Sequence, residues 1–424
     1  MLTRSDSEQF LLNCLNGPDP ETRDRIARFN DAEWQALMDV AYRHAVIPLL
    51  HSRLTRAATP VPEDILQELR DGFLKNGTRN LLIYRDLEQI LRGFQAENIP
   101  VIVLKGAHLA ALVYEDPALR PMADIDLLVP QADLPRAAAR LKSLGYSFEG
   151  VAGHDIPAWV EAASHTSHLP PFFKPPHPRI EMHWRIDAAQ PRQSLPELWR
   201  RARTESIAGV ATRVLAPEDL LLHLCLHGVS HHAFGQGLQP LYDIRFTLEH
   251  HTGGIDWERF ISMVREWRAE KCVYLALRMA REITGAPVPD PVMQTLEPPD
   301  FDARWLAVAR ERLFEVEEAL EMDLVPMMTI SNLANLFRPD GTGCGLRSRL
   351  RLLFPSRNHM AQYMAARHAL PLTRARRYTS YGTRAMDFLG KSARLVRFWL
   401  GHRREVSRCI HDQHNKALLE TWLK

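Results

Sequence analysis

The sequence predicts an α+β protein in which a few strands are embedded in a largely helical chain. Three observations carry this expectation. Apolar residues recur at intervals of three and four over most of the chain. Between about residues 99 and 186 that period gives way to short apolar or alternating runs suited to strands. A hydrophobic content of 46% over 424 residues is ample for a buried core and too long a chain for one typical domain. The expected divisions are a helical region over 1–95, the strand-bearing core over 96–210, a helical domain over 211–295 and a basic helical region over 296–424.

From Ser5 to about Asn98 the signals are helical. Asp31 is placed to cap a run from Trp34 to Leu54, and Asn80 to Phe94 sets Ile83, Leu87, Ile90, Leu91 and Phe94 at helical spacings. Ile99 to Leu104 reads as a buried strand ending at Lys105 and Gly106, followed by a short helix over Ala107 to Tyr114. After the turn-rich stretch Glu115 to Pro121 come a strand at Ile125 to Val129 and a helix over Asp133 to Leu144, ended by Gly145. A third strand is expected at Arg179 to Ile186. The section before it carries His154, His165, His168 and His177 and a proline cluster from Pro170 to Pro178, which favours irregular backbone. The spacing of those histidines matches no compact zinc motif.

Beyond Pro217, which suits a first helical turn, helices are expected at Glu218 to Val229, Leu238 to His250, Trp257 to Arg268 and Cys272 to Thr284. A break at Pro287 to Pro299 precedes further helices at Ala303 to Leu320, Leu346 to Leu353 and Thr383 to Leu400.

The formal charge of +2 hides an asymmetry: residues 341–424 hold 17 Lys and Arg against 4 Asp and Glu, so the remainder is acidic. That stretch suits nucleic acid, an anionic membrane surface or an acidic protein, and equally a solvated helical face. No signal peptide or membrane-length apolar run is evident, so the expected location is the cytoplasm, with peripheral contact at the inner membrane face left open. Five scattered cysteines form no CxxC pair and suggest neither a disulfide framework nor a cysteine zinc site.

The chemistry concentrates in Leu104 to Val129. In a strand that continues through Leu127, Asp124 and Asp126 fall on one face and Ile125 on the other. Two converging carboxylates repel unless a cation lies between them, and magnesium, commonly held by one or two carboxylates plus substrate phosphates, fits that role. A glycine at 106, between a buried strand and a short helix, lets backbone amides approach a phosphate, with Lys105 and Arg120 as charge neutralisers. A solvated Asp-x-Asp beside an ordinary turn glycine gives the same spacing, so spacing leaves both readings open.

The stretch resembles the nucleotidyltransferase superfamily with the polymerase-β-like core, and more narrowly a bacterial family whose signature is Leu-Lys-Gly, an Arg, then Asp-Ile-Asp. The matching residues are Leu104, Lys105, Gly106, Arg120, Asp124, Ile125 and Asp126. The likeness continues through Glu181 to Trp184, Asp219 to His227, Leu241 to Ile244 and Ile255 to Trp257, and covers roughly residues 5–290. It implies a mixed sheet flanked by helices, with Asp124, Asp126 and Glu181 as the catalytic, metal-binding acids. Lys105, Gly106, Arg120 and His183 are then the nucleotide contacts, Mg2+ (or Mn2+) is the cofactor, and a nucleoside triphosphate is the substrate. The acceptor, whether small molecule, protein or RNA, is open, and a catalytically silent nucleotide-binding or interaction protein is the alternative. Where the wider superfamily has Gly-Ser, this chain has Gly106-Ala107. Asp187 is a secondary candidate for the third acid, while His223, His227, Asp243 and Asp256 read as structural. A kinase ranks lower, because neither a GxxxxGK[ST] loop nor the HRD and DFG signatures occur.

Overall fold

The computed structural model describes residues 4–148, 156, 166–188, 190–231, 233–314, 411 and 415–423. The chain divides into two compact units, Met1–Val316 with Leu423–Lys424, and Glu317–Trp422. The helices expected at Leu346 to Leu353 and Thr383 to Leu400, most of the basic stretch, and His154 and His165 lie outside the described residues.

The first unit opens with five helices: α1 (Arg4–Leu15), α2 (Pro20–Ile26), α3 (Asp31–Arg43), α4 (Ile47–Arg56) and α5 (Glu63–Ala96). The cap of α3 is Asn30 rather than Asp31: its side chain accepts from Glu33 N at 3.0 Å, and the Glu33 carboxylate accepts from Asn30 N at 3.1 Å. The run expected to reach Leu54 unbroken is split at residues 44–46, where Ala45 takes φ 54° and Pro48 sits in the first turn of α4, the place in a helix where a missing N–H costs least. Along α5, Ile83, Leu87, Ile90, Leu91 and Phe94 form one buried stripe that covers the sheet.

The sheet has seven strands: β1 (Ile102–Val103), β2 (Asp124–Leu128), β3 (Ser147–Phe148), β4 (Phe172–Phe173), β5 (Arg179–His183), β6 (Arg203–Ile207) and β7 (Val210–Val214), in the order β3-β4-β5-β2-β1-β7-β6. It is mixed: β2 runs parallel to β5 and β1 parallel to β7, while the other pairs are antiparallel. The expected strand at residues 99–104 shortens to two residues, and the one at 179–186 stops at His183. The hairpin β6–β7 is a finding of the structure. Its two-residue turn, Ala208 at φ 51° and Gly209 at φ 70°, has the left-handed geometry that Asn-Gly usually signals, and Ala-Gly hides it. This hairpin carries the sheet on to Val214, past the residue-210 limit drawn from the sequence.

Helices α6 (Lys105–Leu112), α7 (Leu134–Ser143), α8 (Leu195–Arg201), α9 (Pro217–Leu226), α10 (Gln239–His250), α11 (Trp257–Glu266), α12 (Glu270–Thr284), α13 (Asp290–Leu296) and α14 (Arg304–Phe314) complete the described part of this unit. Pro217 and Asp256 take their expected places, the latter capping α11 by accepting from Arg259 N at 3.0 Å. The break at Pro287 to Pro299 contains α13, because Pro289 caps it and Pro291 occupies its first turn. No helix among the described residues is long and apolar enough to cross a membrane.

Ile125, Leu127 and Val129 on one face of β2, with Ile180 and Met182 of β5, enter the core beneath α5. The alternation of strand side chains therefore turns Asp124, Asp126, Glu181 and His183 to the opposite face.

Candidate active site

In the parallel pair of β2 and β5, Asp126 lies opposite Glu181 and Asp124 opposite Arg179. This register joins two short motifs 55 residues apart in sequence into one acidic floor. Ligand atoms of Asp126, Glu181 and His183 all fall within 4.8 Å of one another. Asp126 is buried, and its Oδ1 accepts from Lys105 Nζ at 2.8 Å and faces His183 Nε2 at 2.9 Å. His183 Nε2 is also 3.9 Å from Glu181 Oε2. Asp124 stands nearer the rim, its side chain 30% exposed and its Oδ2 3.3 Å from Arg179.

Charge crowding decides the protonation of this floor. Burial, then the charges of Asp126 and Glu181, push the Asp124 carboxyl up to about 6. Asp126 goes the other way: burial disfavours its charge, but Lys105 and His183 outweigh burial and hold it well below the usual carboxylate range. For Lys105, likewise, burial is outweighed by Asp126, Glu181 and Asp124, which keep the ammonium charged. Burial holds His183 below the usual imidazole range, with Lys105 acting in the same sense against the pull of Asp126. A neutral His183 that donates from Nε2 to Asp126 leaves Nδ1, which has no hydrogen-bond partner among the described residues. Three carboxylates with a raised Asp124 form a group short of positive charge, and the residues fit a divalent cation of the Mg2+ type.

The opposite wall is the turn from β1 into α6. Leu104 N donates to Asp126 O at 3.0 Å, which ties this turn to β2. Lys105 takes φ 41°, a left-handed conformation unfavourable for a residue with a Cβ. Ala45, Ala58, Asn98 and Arg268 have similar φ values just beyond helix ends, whereas Lys105 has it on entering a helix, and this bend accompanies the ion pair to Asp126. A Cβ on Gly106 would stand 2.6 Å from Arg120 Nη1 and 3.1 Å from Met122 Cγ. The glycine therefore makes room for the Arg120 guanidinium, a packing reason beyond the phosphate approach expected from the sequence.

Arg120 is held from behind. Asp243 of α10 accepts from its Nε at 2.9 Å and its Nη2 at 2.7 Å, and the Tyr114 hydroxyl donates to Asp243 Oδ1 at 2.8 Å. The backbone on either side is fixed by Asn80 in α5, whose Nδ2 donates to Pro117 O at 2.6 Å and Arg120 O at 2.8 Å. These groups enclose a cavity of about 590 Å3 that Lys105, Gly106, Arg120, Asp124, Asp126 and Glu181 all line, with His183. All seven residues singled out from the sequence thus meet at one cavity.

Sequence reasoning missed Arg179 as the partner of Asp124; Asp243, read as structural, pairs with an arginine of the cavity wall. The Leu241 to Ile244 segment was the available signal. His227 lines the cavity where α9 passes into a π turn (His227–His231), a helical irregularity frequent at functional sites. His223 is buried, and burial followed by Lys105 pushes its imidazole down to about 3. Neither of its ring nitrogens has a hydrogen-bond partner among the described residues. His168 and His177 bind no common centre: His168 Nδ1 lies 2.8 Å from Leu169 O, and His177 Nδ1 lies 2.7 Å from Asp86 Oδ2.

The mixed sheet flanked by helices, with an acidic pair on one strand and a third acid on its parallel neighbour, has the form of a polymerase-β-like nucleotidyltransferase core. The chain belongs to the family described as "uncharacterised nucleotidyltransferase", which it matches over residues 30–285. Comparison with curated proteins and with solved structures gives no match.

Proposed function

We propose that this protein transfers a nucleoside monophosphate from a nucleoside triphosphate to a nucleophile on an acceptor, with release of pyrophosphate. The carrying observation is the register that sets Asp126 opposite Glu181, with Asp124 beside them, on the floor of a cavity whose far wall holds Lys105, Gly106 and Arg120. Asp124, Asp126 and Glu181 would hold Mg2+ or Mn2+, with His183 close enough to join them. When bound, such an ion supplies charge to the phosphate oxygens and lowers the cost of deprotonating a hydroxyl.

The chain's own residues divide the remaining work. Glu181, the acid of β5, is partly open to the cavity and receives the proton of the attacking hydroxyl. Arg120, held along its Nε–Nη2 edge by Asp243, presents an oriented guanidinium to the triphosphate. Lys105, 2.8 Å from Asp126, holds that carboxylate charged and would be the ammonium nearest the phosphates if a cation took its place there. His183 keeps Asp126 oriented through Nε2.

Two observations favour a second reading, a nucleotide binder without turnover: Asp126 Oδ1 is already engaged by both Lys105 and His183, and Ala107 follows Gly106 where the superfamily has serine. Incubation with each labelled nucleoside triphosphate, Mg2+ or Mn2+ and a lysate separates the two. Transfer requires metal-dependent pyrophosphate release that disappears in the folded Asp124→Asn, Asp126→Asn double variant, with label entering protein, RNA or a small-molecule fraction. Nucleoside diphosphate as the product would indicate a kinase, and no product from any nucleotide would leave the silent reading.

A further inference from the structure

A second cavity, of about 380 Å3, lies between α4 and α10 beside the segment Val113 to Glu115. We propose that it binds a small soluble phosphate-bearing molecule, with Arg53 as the anchoring cation. Four charged groups of its wall pair off: Arg56 with Glu115, and Arg245 Nε with Glu249 Oε1 at 2.7 Å. Arg53 is left over. Its Nε is buried and has no hydrogen-bond partner among the described residues, and its guanidinium lies 5.8 Å from the centre of the Phe246 ring.

The cost of that arrangement is visible in its electrostatics. Burial, then the neighbouring Arg245 charge, hold Arg53 below the usual arginine range, although Glu249 acts in the opposite sense. A guanidinium does not lose its proton under ordinary conditions, and an anion entering the cavity would offset the Arg245 charge beside it. Arg53 with Arg56 nearby suits a phosphoryl dianion, whose oxygens accept the paired N–H groups of an arginine fork. Phe246 and Tyr114, packed edge-to-face with centroids 4.8 Å apart, add an aromatic wall for an organic substituent. The volume falls near the lower end of ligand cavities, about 300–1,000 Å3, which favours a monophosphate over a triphosphate. The cavity also abuts the candidate active site, because Tyr114 lines it while donating to the Asp243 that holds Arg120.

Calorimetric titration of the full chain with inorganic phosphate, then with phenyl phosphate, tests the site. Wild type should bind phosphate with a dissociation constant on the order of 1 mM. Arg53→Gln should weaken this at least about tenfold, the scale of a lost charge-assisted contact. Lys105→Met should keep the Arg53-dependent binding, because Lys105 belongs to the other cavity. Tighter binding of phenyl phosphate assigns the site to an organic monoester, and equal binding assigns it to phosphate itself. Absence of binding to wild type at about 10 mM, well above that dissociation constant, overturns the proposal. So does unchanged affinity in a folded Arg53→Gln, or loss of binding in Lys105→Met. If Arg53→Gln does not fold, Arg56→Gln serves, and undiminished affinity there overturns the proposal equally. Because Lys105→Met disables only the candidate active site, failure of phosphate binding and failure of nucleotidyl transfer are told apart.

Discussion

Replacing Asp124 by Asn should stabilise the metal-free protein at alkaline pH and remove its response to divalent cations. Burial, Asp126 and Glu181 push the Asp124 carboxyl up to about 6, whereas aspartate in an unfolded chain titrates near 3.9. The folded state therefore binds this proton more tightly than the unfolded state does. Below about pH 4 both states are protonated and the group is neutral in stability; stability falls as pH rises through the window from about 4 to 6, and the full cost is present above it. A difference of roughly two units corresponds to about 3 kcal/mol. Because the side chain is 30% exposed and the Arg179 ion pair at 3.3 Å is lost with the charge, screening reduces the expected gain to about 1–2 kcal/mol. Thermal melts in chelator at about pH 8 should place Asp124→Asn about 1–4 °C above wild type, at roughly 1–2 °C per kcal/mol for a unit as long as Met1–Val316. The gap should close below about pH 4, where Asp124 of the wild type would be protonated in the folded and the unfolded state alike. Added Mg2+ or Mn2+ should raise the wild-type midpoint and leave the variant almost unmoved. A variant that melts at or below wild type in chelator at the higher pH, or that gains as much from the cation, would refute the crowded-carboxylate account.

Three further substitutions probe the rest of the cavity. Glu181→Gln keeps shape and removes the charge, so nucleotide affinity should persist while turnover at saturating nucleotide falls by roughly two orders of magnitude; a lowered melt with near-normal turnover would make Glu181 a structural residue and return attention to Asp187. Gly106→Ala should destabilise by about 1–3 kcal/mol and weaken nucleotide binding, since its methyl would meet Arg120 Nη1, which the Asp243 fork keeps from yielding; unchanged calorimetric affinity would remove Gly106 from the site. Asp243→Asn leaves Arg120 buried with a broken fork and should cost about 3–5 kcal/mol by denaturant melts, and a loss under about 1 kcal/mol would mean that Arg120 finds another partner.

The sequence by itself determined the helical majority, the strand bearing Asp124 and Asp126 and the stripe of α5, and it singled out seven residues that line one cavity of the fold. These rest on local periodicity, the period of two that aligns Asp124 with Asp126, and short motifs legible to within a few residues. What spans strands it could not determine. That Asp126 faces Glu181 follows from the parallel register of β2 and β5, which is set by packing of Ile125, Leu127, Ile180 and Met182 rather than by the acids. The β6–β7 hairpin was illegible because Ala-Gly replaces the usual turn signal, and α13 because its prolines occupy positions a helix start tolerates. The sequence offers Gly106 as a glycine for close phosphate approach, but its packing reason, the guanidinium of Arg120, depends on Asp243 more than 120 residues away. Tertiary structure likewise raised Asp124 while lowering Asp126, because burial and the identity of the nearest charge, neither of them a property of spacing, decide which carboxylate of a pair keeps its proton.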